Sequence, residues 1–322
     1  MAPHPRPAKT PPPLFIVMGP TASGKPRLAL GVAERAGGEI VSVDALKVYR
    51  GLDIGTAKPT REERARVRHH GLDLVEPHEE FSVALFIDYI EPLLKEIVAR
   101  GALPILDVTA PFYLKALLYG LDRGPGPDIR LRDRLRARNL AALHAALARR
   151  DPAAAEQIGA ADSKRIIRAI EVLRRGERLA SEAESWREPR DDYRLVMTGI
   201  RWPREELNAR VEARARGMFE AGWLDEVKAI RDDRGFSKTA GRAHGYRRML
   251  QYLEGELSYE EAVGETIRDV RVFARKSMTF FRSFRGVQWL EVTSEEEIDR
   301  AASYLSHELN EMMVHGGRRD PG

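Results

Sequence analysis

The 322-residue chain contains no cysteine, which excludes disulfides, thiol nucleophiles and thiolate metal sites and fits a cytoplasmic protein. No apolar run is long enough to span a bilayer, so no membrane association is expected. The eight histidines show no ligand spacing beyond the adjacent pair His69-His70, and no zinc site is expected. Aromatics are few, and Trp186, Trp202, Trp223 and Trp289 read as packing residues rather than base-stacking platforms. Residues 1–13 are rich in proline and lack the apolar stretch of a signal peptide; a disordered tail is expected there, and a second over 316–322.

What is present is 43% hydrophobic and 32% charged residues, the balance of a soluble globular protein of one large domain or two smaller ones. Its most informative stretch is Gly19-Pro20-Thr21-Ala22-Ser23-Gly24-Lys25-Pro26. The apolar run Leu14 to Met18 precedes it and Leu28 to Ala33 follows, so strand, glycine-bounded loop and helix start come in that order. This is a G-x-x-x-x-G-K phosphate loop without the Ser or Thr that normally comes next. Glycines let backbone N–H groups turn onto an anion, the helix N-terminus adds a dipole, and Lys25 supplies a point charge. A chance glycine-rich turn is the plainer reading, and the flanking strand and helix argue against it. Pro26 offers neither a hydroxyl for Mg²⁺ nor an N–H for phosphate, although proline suits the first turn of a helix. A metal near Lys25 and Asp44 would need ligands from elsewhere.

Glu39 to Val43 reads as a second strand ending at Asp44. In an open parallel sheet, ligands sit beyond the carboxyl ends of the strands, which puts Asp44 in the crevice of the phosphate loop. There it could bind metal or accept a proton; a turn or N-cap aspartate is the plainer reading. Residues 60–70 are expected as exposed helix or loop, 81–100 as a helix, 103–108 as a third strand and 109–121 as a further helix. The fold class is therefore α/β, a P-loop NTPase-like parallel sheet whose first part covers 14–121. Gly124-Pro125-Gly126-Pro127 breaks the pattern, and 129–150 and 153–176 read as two helices before a fourth strand over 193–200. A helical domain over 122–185 thus reads as inserted into a core that resumes over 186–315. Helices over 204–231, 246–255 and 259–284, a short strand over 287–290 and a closing helix over 295–313 complete it.

The net charge is +4, unevenly spread: Arg123 to Arg178 holds 14 Lys or Arg against 7 Asp or Glu, a net +7 that leaves the remainder near −3. Such a segment suggests a polyanion larger than a nucleotide, or simply a solvated helical surface.

Several stretches together resemble the tRNA dimethylallyltransferases of the IPP transferase family. They are Gly19 to Lys25, Asp44 to Pro59, His69 to Asp73, Phe81-Ser82-Val83, Tyr113 to Leu117 and Asp162 to Glu171. Arg210 to Arg214 ahead of Met218 and Gly222, His244-Gly245-Tyr246-Arg247 and Thr279 to Arg282 extend the match to about residue 290. The string Gly51-Leu52-Asp53-Ile54-Gly55-Thr56-Ala57-Lys58-Pro59 is specific to this family; the phosphate loop is not.

The resemblance implies that the loop takes dimethylallyl diphosphate rather than a nucleotide. The five-carbon group would pass to N6 of adenosine 37, flipped out of the anticodon loop of tRNAs that read codons beginning with U. Lys25, Mg²⁺ and the loop N–H groups would stabilise the leaving diphosphate. Asp44 matches the carboxylate that holds the acceptor amine, and Arg214 the arginine that binds diphosphate from the opposite side. Asp44, Ala45, Leu46, Lys47, Thr109, Ala110, Arg242, His244, Gly245, Tyr246 and Arg247 correspond to positions that contact the tRNA. Lys164, Arg165, Ile166, Ile167 and Arg168 correspond to the stretch of the inserted domain that clasps the anticodon stem-loop. A monomer is the default expectation.

The departures fall on the active site. Asp44-Ala45-Leu46-Lys47 stands where the family usually has Asp-Ser-x-Gln, and Val108-Thr109-Ala110-Pro111-Phe112-Tyr113 where it has Gly-Gly-Thr-Gly-Leu-Tyr. Ser277 replaces a usual Gln, and Pro26 the Ser or Thr. Two alternatives therefore stand beside the transferase: a tRNA-binding protein that has lost the chemistry, and a P-loop kinase or NTPase, which leaves the basic insertion unexplained.

Overall fold

The apolar run Pro13–Met18 forms strand β1 and passes through the phosphate loop into helix α1 (Lys25–Ala36). Strand β2 (Gly38–Val43), helix α2 (Arg61–Arg66), strand β3 (His69–His70), helix α3 (Val83–Ala99), strand β4 (Leu103–Val108) and helix α4 (Pro111–Tyr119) follow. Next come α5 (Ile129–Arg136), α6 (Leu140–Arg150), α7 (Pro152–Gln157) and α8 (Ser163–Arg174). Strand β5 (Arg194–Arg201), helices α9 (Arg204–Glu220), α10 (Trp223–Asp232), α11 (Tyr246–Leu253) and α12 (Tyr259–Phe281), strand β6 (Gln288–Glu291) and α13 (Glu295–Gly317) complete the order. This computed structural model describes residues 10–121, 128–176 and 188–317; most of the expected N-terminal tail, the Gly-Pro stretch after residue 123 and Trp186 lie outside the described residues.

The six strands form one parallel sheet in the order β3-β2-β4-β1-β5-β6. Side chains of β4 are buried along its whole length, as a parallel strand covered on both faces requires. On one face α1 and α13 pack against β1, β2 and β4 through Leu28, Val32, Ile298, Leu305 and their neighbours. The two-residue β3 carries no readable period and was not foreseen. No helix among the described residues is long and apolar enough to cross a membrane.

The chain divides into two compact units, one running to Leu114 and resuming at Asp191, the other covering Lys115–Arg190, so the division falls within α4. In the smaller unit the two expected helices are four. Asn139 caps the N-terminus of α6 through Ala142 N at 3.1 Å and Asp162 that of α8 through Arg165 N at 3.0 Å, while Asp151 ends α6 and starts α7, accepting from Ala154 N at 3.0 Å. Leu131, Leu135, Leu143, Leu147, Ile166 and Ile167 share its core. Buried Glu171 accepts two hydrogen bonds from Arg132, at 2.9 and 2.7 Å. In the larger unit, the helix expected over 204–231 is broken at Gly222, whose φ of 96° ends α9 and opens α10.

The family-specific string has a structural origin. The N–H groups of Asp53, Ile54 and Gly55 converge on the Glu226 carboxylate at 2.8, 2.6 and 3.2 Å, and the Tyr246 hydroxyl donates to it at 2.6 Å. Trp223 fills the space beside both glycines: a Cβ on Gly55 would meet its Nε1 at 2.1 Å, and one on Gly245 its Cη2 at 1.9 Å. Lys58, almost fully buried, donates to Tyr49 O, Asp53 and Asp73. Gly55→Ala should therefore cost about 1–3 kcal/mol by overpacking, lowering the urea midpoint at constant slope. An unchanged midpoint would show that the Trp223 contact carries no stability.

Candidate active site

At the carboxyl ends of β1, β2 and β4 a cavity of about 390 Å³ opens over three loops of the larger unit. The phosphate loop is built on positive φ: 150° at Gly19, 63° at Ala22 and 91° at Gly24. A Cβ on Gly19 would meet both Ile200 O and Ser23 Oγ at 2.9 Å, so that position has room for glycine alone. The loop carbonyls are taken up by side chains. Lys25 Nζ donates to Pro20 O at 2.8 Å, Arg210 Nε to Ala22 O at 3.0 Å and Trp202 Nε1 to Ser23 O at 2.9 Å. The Arg210 guanidinium lies 4.2 Å over the Trp202 ring, so α9 and the residue after β5 brace the loop together. No side chain caps α1, which begins at Lys25, and its first-turn N–H groups are available to an anion. Pro26 sits in that turn and removes one of them.

Lys25 is 3% exposed. Burial pushes its ammonium down to about 8; the Asp107 and Asp44 carboxylates oppose that shift, and the Arg214 and Lys47 cations add to it. Arg214 on α9 is likewise pushed down by burial, against the pull of Asp107 and Asp44. Asp44 is buried, and its Oδ1 accepts from Leu46 N at 2.7 Å and Lys47 N at 3.3 Å. It therefore closes a turn and also lines the cavity. Lys47 Nζ lies 3.3 Å from Asp107 Oδ2, both side chains buried. The other wall is apolar, with Val211, Met218, Val270 and Phe273. Burial pushes the Tyr113 hydroxyl up as well, with Tyr49 and Asp44 contributing. One basic end and one apolar wall suit a ligand with an anionic head and a hydrocarbon tail.

Most of the expected residues meet here: Thr21 to Pro26, Asp44 to Lys47, Thr109 and Ala110, Arg214, Arg242 and His244 line the cavity. Gly19 and Pro20 shape the loop from outside the lining. Two expected RNA contacts are otherwise employed: Gly245 lies against Trp223, and Tyr246 is fully buried on Glu226. Arg247 is exposed and pairs with Asp269 at 2.9 Å. In the smaller unit Lys164 and Arg165 are exposed on α8, but Ile166 and Ile167 are buried in its core, which corrects their placement among RNA-facing residues. Arg168 reaches Glu171 at 3.5 Å. Trp202 and Trp223 are packing residues, as expected. Asp107 was missed; it ends a strand beside β1 as Asp44 ends β2, and the same strand-end argument would have found it.

Lys25 also makes stability depend on pH. Its pKa falls from an unfolded value of 10.5 to about 8, so between these values the unfolded chain holds a proton that the folded one has released. Stability gained from this site rises with pH across that window and is absent below about 8. Relative to Lys25→Met, the parent protein should gain about 3 kcal/mol between the two limits, read from urea unfolding at each pH. A difference that does not change with pH would mean that Lys25 is not desolvated.

Residues 47–284 match the IPP transferase family, and residues 12–74 the isopentenyl transferase family. A tRNA dimethylallyltransferase of Anaeromyxobacter dehalogenans is 44% identical over 284 residues, which cover 86% of this chain and 94% of that one. A tRNA dimethylallyltransferase of Pelotomaculum thermopropionicum is 38% identical over 300 residues, 91% and 95% of the two chains. The crystal structure of a full-length tRNA isopentenylpyrophosphate transferase from Bacillus halodurans superposes with a TM-score of 0.69 at 35% identity, covering 95% of this chain and 99% of that one. With this match spanning sheet, cavity and helical unit, the chain belongs to the IPP transferase family of prenyltransferases.

Proposed function

We propose that the chain transfers a dimethylallyl group from dimethylallyl diphosphate to N6 of adenosine 37 in tRNAs reading codons that begin with U. The observation that carries this reading is that Lys25, Arg214 and Asp44 line one cavity together with the apolar Met218, Val270 and Phe273. The diphosphate lies on the first turn of α1 between Lys25 and Arg214, and the prenyl tail on Met218, Val270 and Phe273. As the C–O bond to diphosphate breaks, negative charge grows on the leaving oxygen, where Lys25 and Arg214 already stand. The N6–C bond forms from the other side, and Asp44 holds the amine through its hydrogen and receives the proton. The exposed Lys164 and Arg165 bind the stem-loop backbone.

The family resemblance implies Mg²⁺, but the donor set does not fit it. Pro26 has no hydroxyl, Asp44 Oδ1 is held by two backbone N–H groups, and Asp107 is paired with Lys47. Among the described residues no three His, Cys, Asp or Glu side chains are grouped to hold a metal ion.

Single-turnover transfer of labelled dimethylallyl diphosphate to an anticodon stem-loop with adenosines at 36 and 37 tests the reading. Asp44→Ala should slow transfer by about 10²- to 10⁴-fold while stem-loop affinity stays within about twofold. No transfer by the parent protein, despite tight stem-loop binding, would favour an RNA-binding protein without the reaction. Neutralising Lys164 and Arg165 together should weaken stem-loop binding and reduce the slope of log affinity against log salt by about 1 to 2; an unchanged slope would place the RNA elsewhere.

A further inference from the structure

Lys47 and Asp107 form a pair that the family's usual residues at this place, Asp-Ser-x-Gln, would not make. The two side chains are 6% and 5% exposed, 60 residues apart in sequence, and brought together because β2 and β4 are sheet neighbours with Ser42 opposite Asp107. A buried ion pair is weak evidence for stability, since desolvation offsets most of the attraction. This pair also lies at a ligand site. An ammonium has three N–H groups, and Lys47 gives one to a protein acceptor among the described residues, Asp107 Oδ2 at 3.3 Å. Asp107 Oδ1 is buried with no hydrogen-bond partner. Lys47 lines the same cavity as Lys25 and Arg214 and lies near enough to act on the Lys25 charge.

Lys25, Lys47, Arg214 and Arg242 line the cavity against Asp44, and Asp107 pairs with Lys47, which leaves two excess positive charges before any ligand enters. A divalent cation beside the diphosphate would have to displace the Lys47 ammonium from Asp107 or sit against it. We infer that Lys47, held in place by Asp107, is the resident cation of the diphosphate subsite and stands in for a divalent metal, so that this cleft binds diphosphate without one. The inference rests on the reading of the cavity as a prenyl diphosphate site. It moves Lys47 from the tRNA contacts to the groups that hold the leaving group.

Calorimetric binding of inorganic diphosphate to the full chain, with EDTA or with Mg²⁺, tests it. The parent protein should bind in EDTA, and Mg²⁺ should change the affinity by less than about threefold, because the cation is already present. Lys47→Gln should weaken binding in EDTA by about tenfold or more. Because that variant leaves Asp107 unpaired, the neutral pair Lys47→Gln with Asp107→Asn, its fold checked by circular dichroism, should show the same loss. Binding by the parent only when Mg²⁺ is present, or undiminished binding by the folded double variant in EDTA, would overturn the inference and leave the site assignment standing. No binding under either condition would remove the diphosphate reading and the inference with it.

Discussion

Two buried lysines and a half-buried arginine gathered at one end of a sheet are the constraint on which the site depends. Burial, with the neighbouring cations adding to it and the carboxylates opposing it, brings the Lys25 ammonium down to about 8, and Arg214 is shifted the same way. Such a cluster persists only where carboxylates are close, and the strand order supplies them: Asp44 just past the end of β2 and Asp107 near the end of β4, on the two strands that follow one another on one side of β1. The phosphate loop adds main-chain dipole to the same place. Its carbonyls are bound by Lys25, Arg210 and Trp202, so the polar groups left to face a ligand are donors. Everything about this end of the sheet waits for negative charge.

The scaffold that holds the cluster is a different matter from the cluster. The most family-specific stretch of the sequence, Gly51 to Pro59, turns out to be mainly architectural. Its N–H groups wrap the Glu226 carboxylate, its second glycine makes room for Trp223, and its lysine is fully engaged with Tyr49, Asp53 and Asp73. Such a string identifies ancestry well because each residue answers to a close neighbour. It says little about chemistry, which is why the departures at Pro26 and Lys47 can coexist with an intact fold.

Sequence alone could show what local rules fix. Gly19 to Lys25 is legible because strand, turn and helix are contiguous, and Asp44 because the end of a strand next to that loop has a known position in a parallel sheet. The Lys47–Asp107 pair was not legible: it needs β2 beside β4, which chain order does not state. Arg210 and Trp202 were hidden for the same reason, as their partners lie 188 and 179 residues away. Ile166 and Ile167 were placed with the RNA contacts because the stretch was taken whole; the helical period separates them from Lys164 and Arg165 and sends them inward. The extra breaks in the helical unit came from single caps such as Asn139, short polar signals inside otherwise continuous apolar stripes.

The altered loop after β4 fits the same pattern of replacement rather than loss. Where the family has glycines, this chain has Val108-Thr109-Ala110-Pro111, and none of these residues has a positive φ, so the loop does not use the freedom that glycine gives. Thr109 N and Ala110 N both donate to Val43 O at 3.0 Å, which ties the loop to the end of β2 one residue before Asp44. Pro111 then starts α4, a position where its missing N–H costs no helical hydrogen bond. A flexible loop has become one fixed by main-chain hydrogen bonds and a proline. Asp107 is held separately, inside β4 between β1 and β2, and through that carboxylate so is Lys47. The site's departures thus meet at one end of the sheet: a proline removes a hydroxyl, a lysine brings a charge, and a strand carboxylate keeps that charge in place beside a loop tied to β2.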